Sequence, residues 1–369
     1  MRGVVRVERV FELPVAFDAL GTLPYPFEAG CPLVCLDLET TGLATAAGTL
    51  PFMVGLGVFA DGRLTVRQYV LPDHADESAL LDLLDDELHG DAWLVTYNGC
   101  TFDWPLLVAR FRLHRRDPPL PAGHLDLLPV ARQLWKHRLG DARLATVERA
   151  VCAVERNGDL PGALIPERYF EYLRSRRAEL LGDVVEHNRQ DIVSLGRLLT
   201  VLTGVMAVPD QWPQLHPGDL AGLARGYLRR RRPTDALRCV EAALDAEAWR
   251  AGLPGGAQLH RHLSAERARL LARLGRRPEA YAAWHDIAAR GGPGAALAWL
   301  HVARQREHAE RDIDGALEAC RAAAAVAERA RAWERPMLAI EADLLRRLPR
   351  LRRKSLAARR FSRVVARAA

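Results

Sequence analysis

The sequence predicts a mixed α/β domain with helices around its sheet, followed by an all-α domain of helical repeats. Short apolar runs with strand spacing fill the first half, whereas the chain beyond residue 218 is rich in Ala, Leu and Arg. Charge divides similarly: residues 1–205 hold 21 Lys and Arg against 28 Asp and Glu, and residues 206–369 hold 31 against 18. We therefore expect an α/β domain over 1–205, a Pro-rich linker over 206–217 and a helical domain over 218–369.

Two acids, Asp37 and Glu39, follow the first buried strand. Residues 33–36 form a short apolar run, and residues two apart on a strand project from the same face. Both carboxylates therefore point the same way at the edge of a core. They are either solvated acids at a strand end or ligands of a divalent cation, which would remove the cost of desolvating two like charges.

Three strands are expected to follow one another, because residues 51–72 alternate apolar and polar positions around the hairpin turn Asp61-Gly62. A helix is predicted over 77–89, and a strand over 93–97 that stops at Asn98-Gly99. The next helix starts near Asp103. This residue is either a helix cap or a functional acid at the carboxyl end of a strand, where α/β sheets gather their functional groups.

The segment 123–151 reads as two helical pieces. His124 and Asp126 are either ligands or, as their amphipathic setting favours, structural residues, and the basic residues 136–138 are either a site or, as is commoner, a solvated face. A long helix is predicted over 182–202. His187 and Asp191 lie four apart on it and therefore share one face, flanked by Asn188.

Together, Asp37, Glu39, Asp103 and Asp191 would come from two strand ends and a late helix to one pocket. Four carboxylates in one pocket need a counter-charge. Oxygen-only ligand sets suit Mg²⁺ or Mn²⁺, and two such ions about 4 Å apart can support hydrolysis of a phosphodiester.

The three segments DLETTG, NGCTFD and HNRQD resemble the exonuclease motifs of the DEDD superfamily, which has a ribonuclease H-like fold. The pattern HLDLLPVARQLW and the helical second half resemble more narrowly the YprB-like bacterial exonucleases. The resemblance implies metal-dependent removal of nucleotides from a 3′ end, with Asp37, Glu39, Asp103 and Asp191 holding two ions and His187 orienting or deprotonating the attacking water. Candidate substrate contacts flank the motifs: Thr40, Thr41, Gly42, Asn98 and Asn188.

The last motif departs from the family pattern. The histidine branch of the superfamily usually places its His five residues before the last Asp, where this chain has Glu186. His187 instead occupies the spacing of the tyrosine branch. An imidazole titrates in the range that suits a general base near neutrality, and it shares a helical face with Asp191. His187 is therefore the expected base, and Glu186 is the alternative.

The second half contains three similar stretches that each read as helix, turn, helix. Alignment of Ala236, Ala280 and Ala316 gives spacings of 44 and 36 residues, close to the tetratricopeptide period of about 34. Residues 229–232 are four arginines, and residues 346–369 carry ten basic side chains and no acid. These charges either contact nucleic acid or form a solvated face, and the final segment is a cap or a loose tail.

The sequence leads to one function and two rivals. We expect a 3′→5′ exonuclease that acts on single-stranded or unwound DNA in repair. The same chemistry on RNA and a non-catalytic nucleic-acid or protein-binding scaffold are the alternatives. Resemblance adds a superfamily 2 helicase as a possible partner of the repeats. No apolar run has the length of a membrane span, the N-terminus does not read as a signal peptide, and six scattered cysteines favour a cytoplasmic location.

Overall fold

The computed structural model describes residues 3–28, 30–42, 48–88, 90, 92–156, 158–249 and 252–368, without the side chains of 359 and 361–368. It divides into two compact units, Met1–Arg230 and Arg231–Ala369. A mixed sheet with helices occupies the first unit and helices alone form the regular structure described in the second, so the predicted fold class is confirmed. The predicted boundaries near 205 and 217 stay a prediction; the helix that begins at Pro217 lies in the first unit.

The sheet of the first unit has six strands in the order β1-β4-β3-β2-β5-β6. Their bounds are β1 (Val5–Glu12), β2 (Leu33–Thr40), β3 (Pro51–Ala60), β4 (Arg63–Val70), β5 (Trp93–Thr96) and β6 (Gly123–Asp126). Strands β2, β3 and β4 run antiparallel, and the predicted turn at Asp61-Gly62 joins the last two. Because β5 and β6 are parallel to β2, the carboxyl ends of these three strands meet at one edge.

The helices of the first unit cover this sheet. They are α1 (Phe17–Leu20), α2 (Glu77–Leu88), α3 (Asp103–Leu113), α4 (Leu127–Leu134), α5 (Lys136–Leu139), α6 (Leu144–Cys152), α7 (Ile165–Ser175), α8 (Gly182–Val201) and α9 (Pro217–Arg229). Short 3₁₀ segments and a π turn at Leu202–Met206 connect several of them. An apolar core lies under α2, α3 and α7, against the face of β2 that carries Leu36 and Leu38. His89, at the end of the predicted helix over 77–89, lies outside the described residues.

The prediction of two helical pieces over 123–151 was wrong at its start. Residues Gly123–Asp126 form a strand that pairs with β5 before α4 begins at Leu127. Gly123 lies against the indole of Trp93, where a Cβ atom would come within 2.5 Å. Asp126 caps α4 by accepting from the Leu128 amide at 3.0 Å. A four-residue strand that runs straight into an amphipathic helix leaves no separate periodic signal.

The second unit consists of α10 (Pro233–Asp245), α11 (Gly256–Arg273), α12 (Arg277–Arg290), α13 (Ala295–His308), α14 (Ile313–Ala332) and α15 (Leu338–Ala368). Each helix packs against the next along the chain. The aligned alanines Ala236, Ala280 and Ala316 all lie buried in the first turns of α10, α12 and α14. The three alanines thus occupy equivalent positions in their helices.

The final helix is docked on its neighbours by apolar and ionic contacts. Leu344 and Leu351 are buried, and Glu307 of α13, itself 4% exposed, accepts ion pairs from three bases of α15. Those partners are Arg347 at 3.3 Å, Arg350 at 2.6 Å and Lys354 at 2.9 Å. The first part of α15 is therefore a cap, and three of the ten basic residues of 346–369 pair with Glu307. The side chains of 359 and 361–369 lie outside the described residues.

Two further observations concern the chain as a whole. Within the described residues, no helix is both long and apolar enough to cross a membrane. All six cysteines are unpaired thiols, and Cys35, Cys239 and Cys320 are buried.

Candidate active site

Strand β2 carries the first two acids at its carboxyl end. Asp37 pairs in register with Gly55, and Glu39 pairs with Met53, so the two side chains share one face of the sheet. Leu36 and Leu38 face the opposite side, in the apolar core. Glu39 is 8% exposed. Because β2 is an inner strand, its acids are placed at the edge of the fold's interior rather than on an open surface.

Asp103 begins α3 and reaches back to the same strand. It is 6% exposed, and the amides of Asp103 and Leu38 lower the pKa of its carboxyl group, against the larger effect of burial. The turn before it is held by Asp126 of β6, which accepts from the amides of Asn98 at 2.8 Å and Cys100 at 3.2 Å. Asn98 has a φ of 73°, a left-handed conformation that Asn tolerates. The structural role predicted for Asp126 is thus visible in these contacts.

Helix α8 brings His187, Asn188 and Asp191 to the same place. Asn188 is fully buried and donates from Nδ2 to Oδ2 of Asp37 at 2.8 Å. Its Oδ1 accepts from Nε2 of Gln68 at 2.9 Å, and that amide also donates to the Val185 carbonyl at 2.7 Å. Nε2 of His187 lies 3.8 Å from Oδ2 of Asp191. The helix is therefore fixed to the sheet by a polar chain that ends on Asp37.

Two glycines in β3 allow helix α8 to pack closely against the sheet. A Cβ atom at Gly55 would lie 2.3 Å from Oδ1 of Asn188, and one at Gly57 would lie 2.7 Å from Cγ2 of Ile192. Both distances are far below van der Waals contact. These positions therefore need glycine for the close approach of a helix, as expected for a glycine inside a strand.

All four acids have pKa values above their ordinary range. Burial raises the pKa of Asp37 most, followed by the charges of Asp191, Glu39 and Asp103. The pKa of Glu39 rises for the same reasons, with burial first and then Asp191 and Asp103. Burial raises the pKa of Asp103 to about 7, against the two amides that stabilise its anion. These acids therefore share one electrostatic site.

The pKa of Asp191 is raised as well, but neighbouring cations oppose the shift. Burial raises its pKa, whereas the charges of Arg156 and His187 oppose the shift. Nη2 of Arg156 lies 2.6 Å from Oδ1 of Asp191. The donor set of the four acids contains only carboxylate oxygens, and burial, followed for Asp37 and Glu39 by repulsion from the other acids, raises their pKa values, a cost that a bound cation offsets. The residues thus fit a divalent cation that prefers oxygen ligands.

A second acid–base group borders the site, and sequence reasoning missed it. In the segment between α6 and α7, Nη1 of Arg156 donates to Oδ2 of Asp159 at 3.0 Å, and Nδ1 of His187 lies 2.7 Å from Oδ1 of Asp159. Arg156 also binds Glu148 with two nitrogens, at 2.5 and 2.8 Å. Glu148 is buried and accepts from the Ser194 hydroxyl. In the sequence, this group is indicated only by an Arg and an Asp in a segment that contains Gly and Pro.

The remaining predicted site residues lie in different surroundings. Glu186 pairs with Arg189 and accepts from Gln190 at 2.8 Å, and its side chain is 42% exposed. Thr40 donates to the Gly42 carbonyl at 2.6 Å, and Thr41 accepts from the Leu50 amide at 2.9 Å, so both shape the turn after β2. Asn98 accepts from the Thr101 hydroxyl at 2.8 Å.

One other group in the described part of the chain could hold a cation. His137, His216 and Asp219 offer ligand atoms within 4.8 Å of one another, a closeness that no trio of the four acids reaches. However, Nδ1 of His216 accepts from the Gly218 amide at 3.1 Å, and Arg138 pairs with Asp219 at 3.0 Å. A helix cap and an ion pair account for this cluster. The wider spacing of the four acids is expected of like charges, and two ions need a longer ligand set than one.

Comparison with known proteins agrees with this geometry. Residues 34–203, a little under half of the chain, match the family model described as the RNase_H superfamily. The chain is 35% identical over 215 residues to the uncharacterized protein YprB of Bacillus subtilis (strain 168), covering 58% of this chain and 52% of that protein. It is 25% identical over 142 residues to protein NEN2 of Arabidopsis thaliana, covering 36% and 28%.

The chain therefore matches about half the length of YprB and little more than a quarter of NEN2. The superfamily named by this model includes nucleases that use divalent metals.

Proposed function

We propose that this protein is a 3′→5′ exonuclease that uses two divalent cations to hydrolyse phosphodiester bonds, acting on single-stranded or unwound DNA in repair. One observation carries the proposal: carboxylates from β2, α3 and α8 come together at a buried site in an RNase H-like domain. The same site is the expected outcome of the three sequence motifs. A cytoplasmic location belongs to the proposal as a prediction.

The four acids would hold the ions. The residues are Asp37, Glu39, Asp103 and Asp191, which act on one another electrostatically. Mg²⁺ or Mn²⁺ bound there would polarise the phosphate and stabilise the charge that develops on the leaving oxygen. The protein's own contribution is to hold the carboxylate oxygens in place before the nucleic-acid substrate binds. Asn188 does so for Asp37, and the amide of Leu38 does so for Asp103.

His187 is the proposed general base. It lies on the same face of α8 as Asp191, with Nε2 directed toward that carboxylate. Glu186 is bound by Arg189 and Gln190 on another side of the helix, which supports His187 over the alternative. In the reaction, Nε2 of His187 takes the proton of the attacking water. Asn98 and the turn of Thr40, Thr41 and Gly42 would contact the strand that is being cut.

We assign the helical unit to substrate or partner binding. Its helix pairs repeat with the buried alanines Ala236, Ala280 and Ala316, which supports tetratricopeptide-like repeats. A superfamily 2 helicase is the partner that the resemblance favours. The other bases of α15 and the arginines near 230 would add salt-sensitive affinity for phosphates.

The decisive experiment follows a short 5′-labelled strand, supplied as DNA and as RNA, with Mg²⁺, with Mn²⁺ and with EDTA. The full chain is compared with its Asp37→Asn variant, which keeps the shape of the side chain but removes its charge. A ladder that shortens from the 3′ end, needs the cation and disappears in the variant is the expected result. The relative cleavage rates of the DNA and RNA strands show which of the two is the substrate.

The matched control is Asp61→Asn, at the exposed hairpin turn, where Asn also accepts the left-handed φ of 49°. Its activity should equal that of the unmodified protein. Intact strands in every lane, with a shifted band on a native gel, would replace the exonuclease by the scaffold alternative. Products that shorten in the Asp37→Asn lane would show that the four acids are assigned wrongly.

A further inference from the structure

The contact between His187 and Asp159 defines the state of the imidazole. Nδ1 of His187 and Oδ1 of Asp159 are 2.7 Å apart. A carboxylate can only accept, so Nδ1 carries the proton and donates it to Asp159. In the neutral ring the lone pair then lies on Nε2, the nitrogen that faces Asp191. The separation of 3.8 Å on that side is too long for a hydrogen bond between Nε2 and Asp191.

Asp159 is itself held in place by a series of ion pairs through Arg156. Its second oxygen accepts from Arg156, whose other nitrogens bind Glu148 in the two-pronged geometry that favours guanidinium–carboxylate pairs. Arg156 also pairs with Asp191 at 2.6 Å, and its side chain is 9% exposed. One guanidinium therefore links the carboxylate that orients the base to one of the proposed metal ligands.

We propose that Asp159 is a positioning residue, which fixes the tautomer and the ring plane of His187 so that Nε2 is the proton acceptor in the site. The inference rests on the proposed function of His187 as the base. Partners that donate to or accept from the far nitrogen of a functional histidine commonly set its tautomer in this way. A purely structural role, in which Asp159 only anchors Arg156, is the competing explanation.

Steady-state kinetics on the full chain separate the two explanations. Asp159→Leu removes the acceptor at similar size, and kcat should fall by about 10- to 100-fold with KM changed by no more than about twofold. Asp159→Asn keeps an oxygen that can accept from Nδ1 and should recover most of the lost kcat. Glu155→Gln is the matched control, because Glu155 is an exposed acid of the same segment. Its kinetics should not change.

A double-mutant cycle tests the route of the effect. If Asp159 acts through His187, Asp159→Leu should cost nothing further once His187 is replaced by Ala. Equal losses in both backgrounds would show a structural role and overturn the proposal. Unchanged kcat in Asp159→Leu, with the Asp37→Asn variant inactive, would overturn it as well while leaving the exonuclease assignment intact.

A spectroscopic readout is independent of turnover. Nitrogen-15 NMR of histidine-labelled protein at pH 8, above the ordinary imidazole pKa of about 6.5, reports which ring nitrogen is protonated. The His187 signal is identified by its loss in His187→Gln. We expect the Nδ1–H tautomer in the unmodified protein and in Asp159→Asn, and its loss in Asp159→Leu. An Nε2–H tautomer in the unmodified protein would refute the inference even if the protein proved to be no nuclease.

Discussion

Asn188 donates a hydrogen bond from Nδ2 to Oδ2 of Asp37, across the position of Gly55 in the neighbouring strand. Gln68, which is paired in register with Gly55, fixes the other end of the Asn188 amide. Three residues in register across β2, β3 and β4 therefore act together: Asp37 is the acid, Gly55 leaves space for Asn188, and Gln68 holds the Asn188 amide. The substrate contact predicted for Asn188 stays a prediction; in the structure this residue is fully buried and orients an acid.

The first prediction concerns these residues. Asn188→Leu removes the donor to Asp37 at similar volume, and Gly55→Ala places a methyl group 2.3 Å from Oδ1 of Asn188, which must move. Both changes should weaken Mn²⁺ binding by about 10- to 100-fold, the usual effect of losing a group that orients a ligand. Titration calorimetry with Mn²⁺ measures the affinity directly.

Two controls make that result specific. Gly204→Ala adds the same methyl group at an exposed position with nothing within 4 Å, and it should leave affinity unchanged. His137→Ala removes one member of the cluster with His216 and Asp219, and it should also have no effect. If Mn²⁺ affinity depended on His137 and not on Asn188, the cation would bind at that cluster rather than at the four acids.

The second prediction concerns pH, because burial raises the pKa of Asp103 from 3.8 to about 7. Between these values the folded protein binds more protons than the unfolded chain, so the contribution of Asp103 to the free energy of unfolding falls as pH rises. Asp103→Asn removes this penalty. In EDTA, the variant should gain stability over the unmodified protein between pH 5 and 8, by up to about 4 kcal/mol.

The difference between the two proteins is the quantity to measure, by urea unfolding at pH 5, 6, 7 and 8. His137 and His301, whose pKa values burial lowers to about 4, act in the opposite direction, but they cancel in the difference. Saturating Mg²⁺ should remove the pH dependence by favouring the charged form. A difference that stays flat across this range would mean that Asp103 is already ionised without a cation.

The sequence predicted helices and strands well where apolar residues recur at regular spacing. It missed the contacts that join distant segments. Strands β2 to β5 and helices α2, α3 and α8 follow from apolar spacing and turn residues. The motifs also selected the four acids that the fold brings together. Arg156 and Asp159 lie between helices without any period, and their partners Glu148 and Asp191 are eight and 35 residues from Arg156.

The glycines of β3 show the same limit. A glycine in a strand indicates close approach of another group, but the sequence does not say which group approaches. Only the fold reveals that Asn188 and Ile192 of α8 occupy the spaces at Gly55 and Gly57. Local patterns therefore define the acids, and the orientation of those acids depends on packing over more than 100 residues of chain.

The third prediction concerns Glu307, whose side chain is 1% exposed. Its burial opposes ionisation, but Arg350 and Lys354 lower its pKa to about 2. Glu307→Gln would leave three cations without their shared anion, so the helical unit should lose about 3 kcal/mol of stability. Hydrogen exchange of the α15 amides measures this, because the ion pairs fix that helix.

The exposed Glu310, two residues after the end of helix α13, provides the control variant Glu310→Gln. Its exchange should match that of the unmodified protein. Since the folded pKa of Glu307 is lowered, its contribution is present above about pH 4.5 and is lost as pH falls toward 2. Equal protection in both variants would show that the ion pairs of Glu307 do not hold α15 in place.

The fourth prediction concerns truncation, and it follows from α9. This helix packs on α4: the Gly222 carbonyl accepts from Gln133 at 2.9 Å, and a Cβ atom at Gly222 would lie 2.5 Å from the Gln133 carbonyl. Tyr227 also donates to the Thr22 carbonyl at 3.1 Å. A chain of residues 1–230 should therefore stay folded, whereas a chain of residues 1–210 loses this cover and should unfold at lower urea concentration.

The same pair of truncations tests the role of the helical unit. Residues 1–230 should cleave a labelled strand in a reaction that needs Asp37, but should bind it more weakly, because the bases of the second unit are gone. The slope of log affinity against log salt should be shallower than for the full chain, by about one unit for each lost phosphate contact. Equal slopes for both proteins would assign the helical repeats to a protein partner and not to nucleic acid.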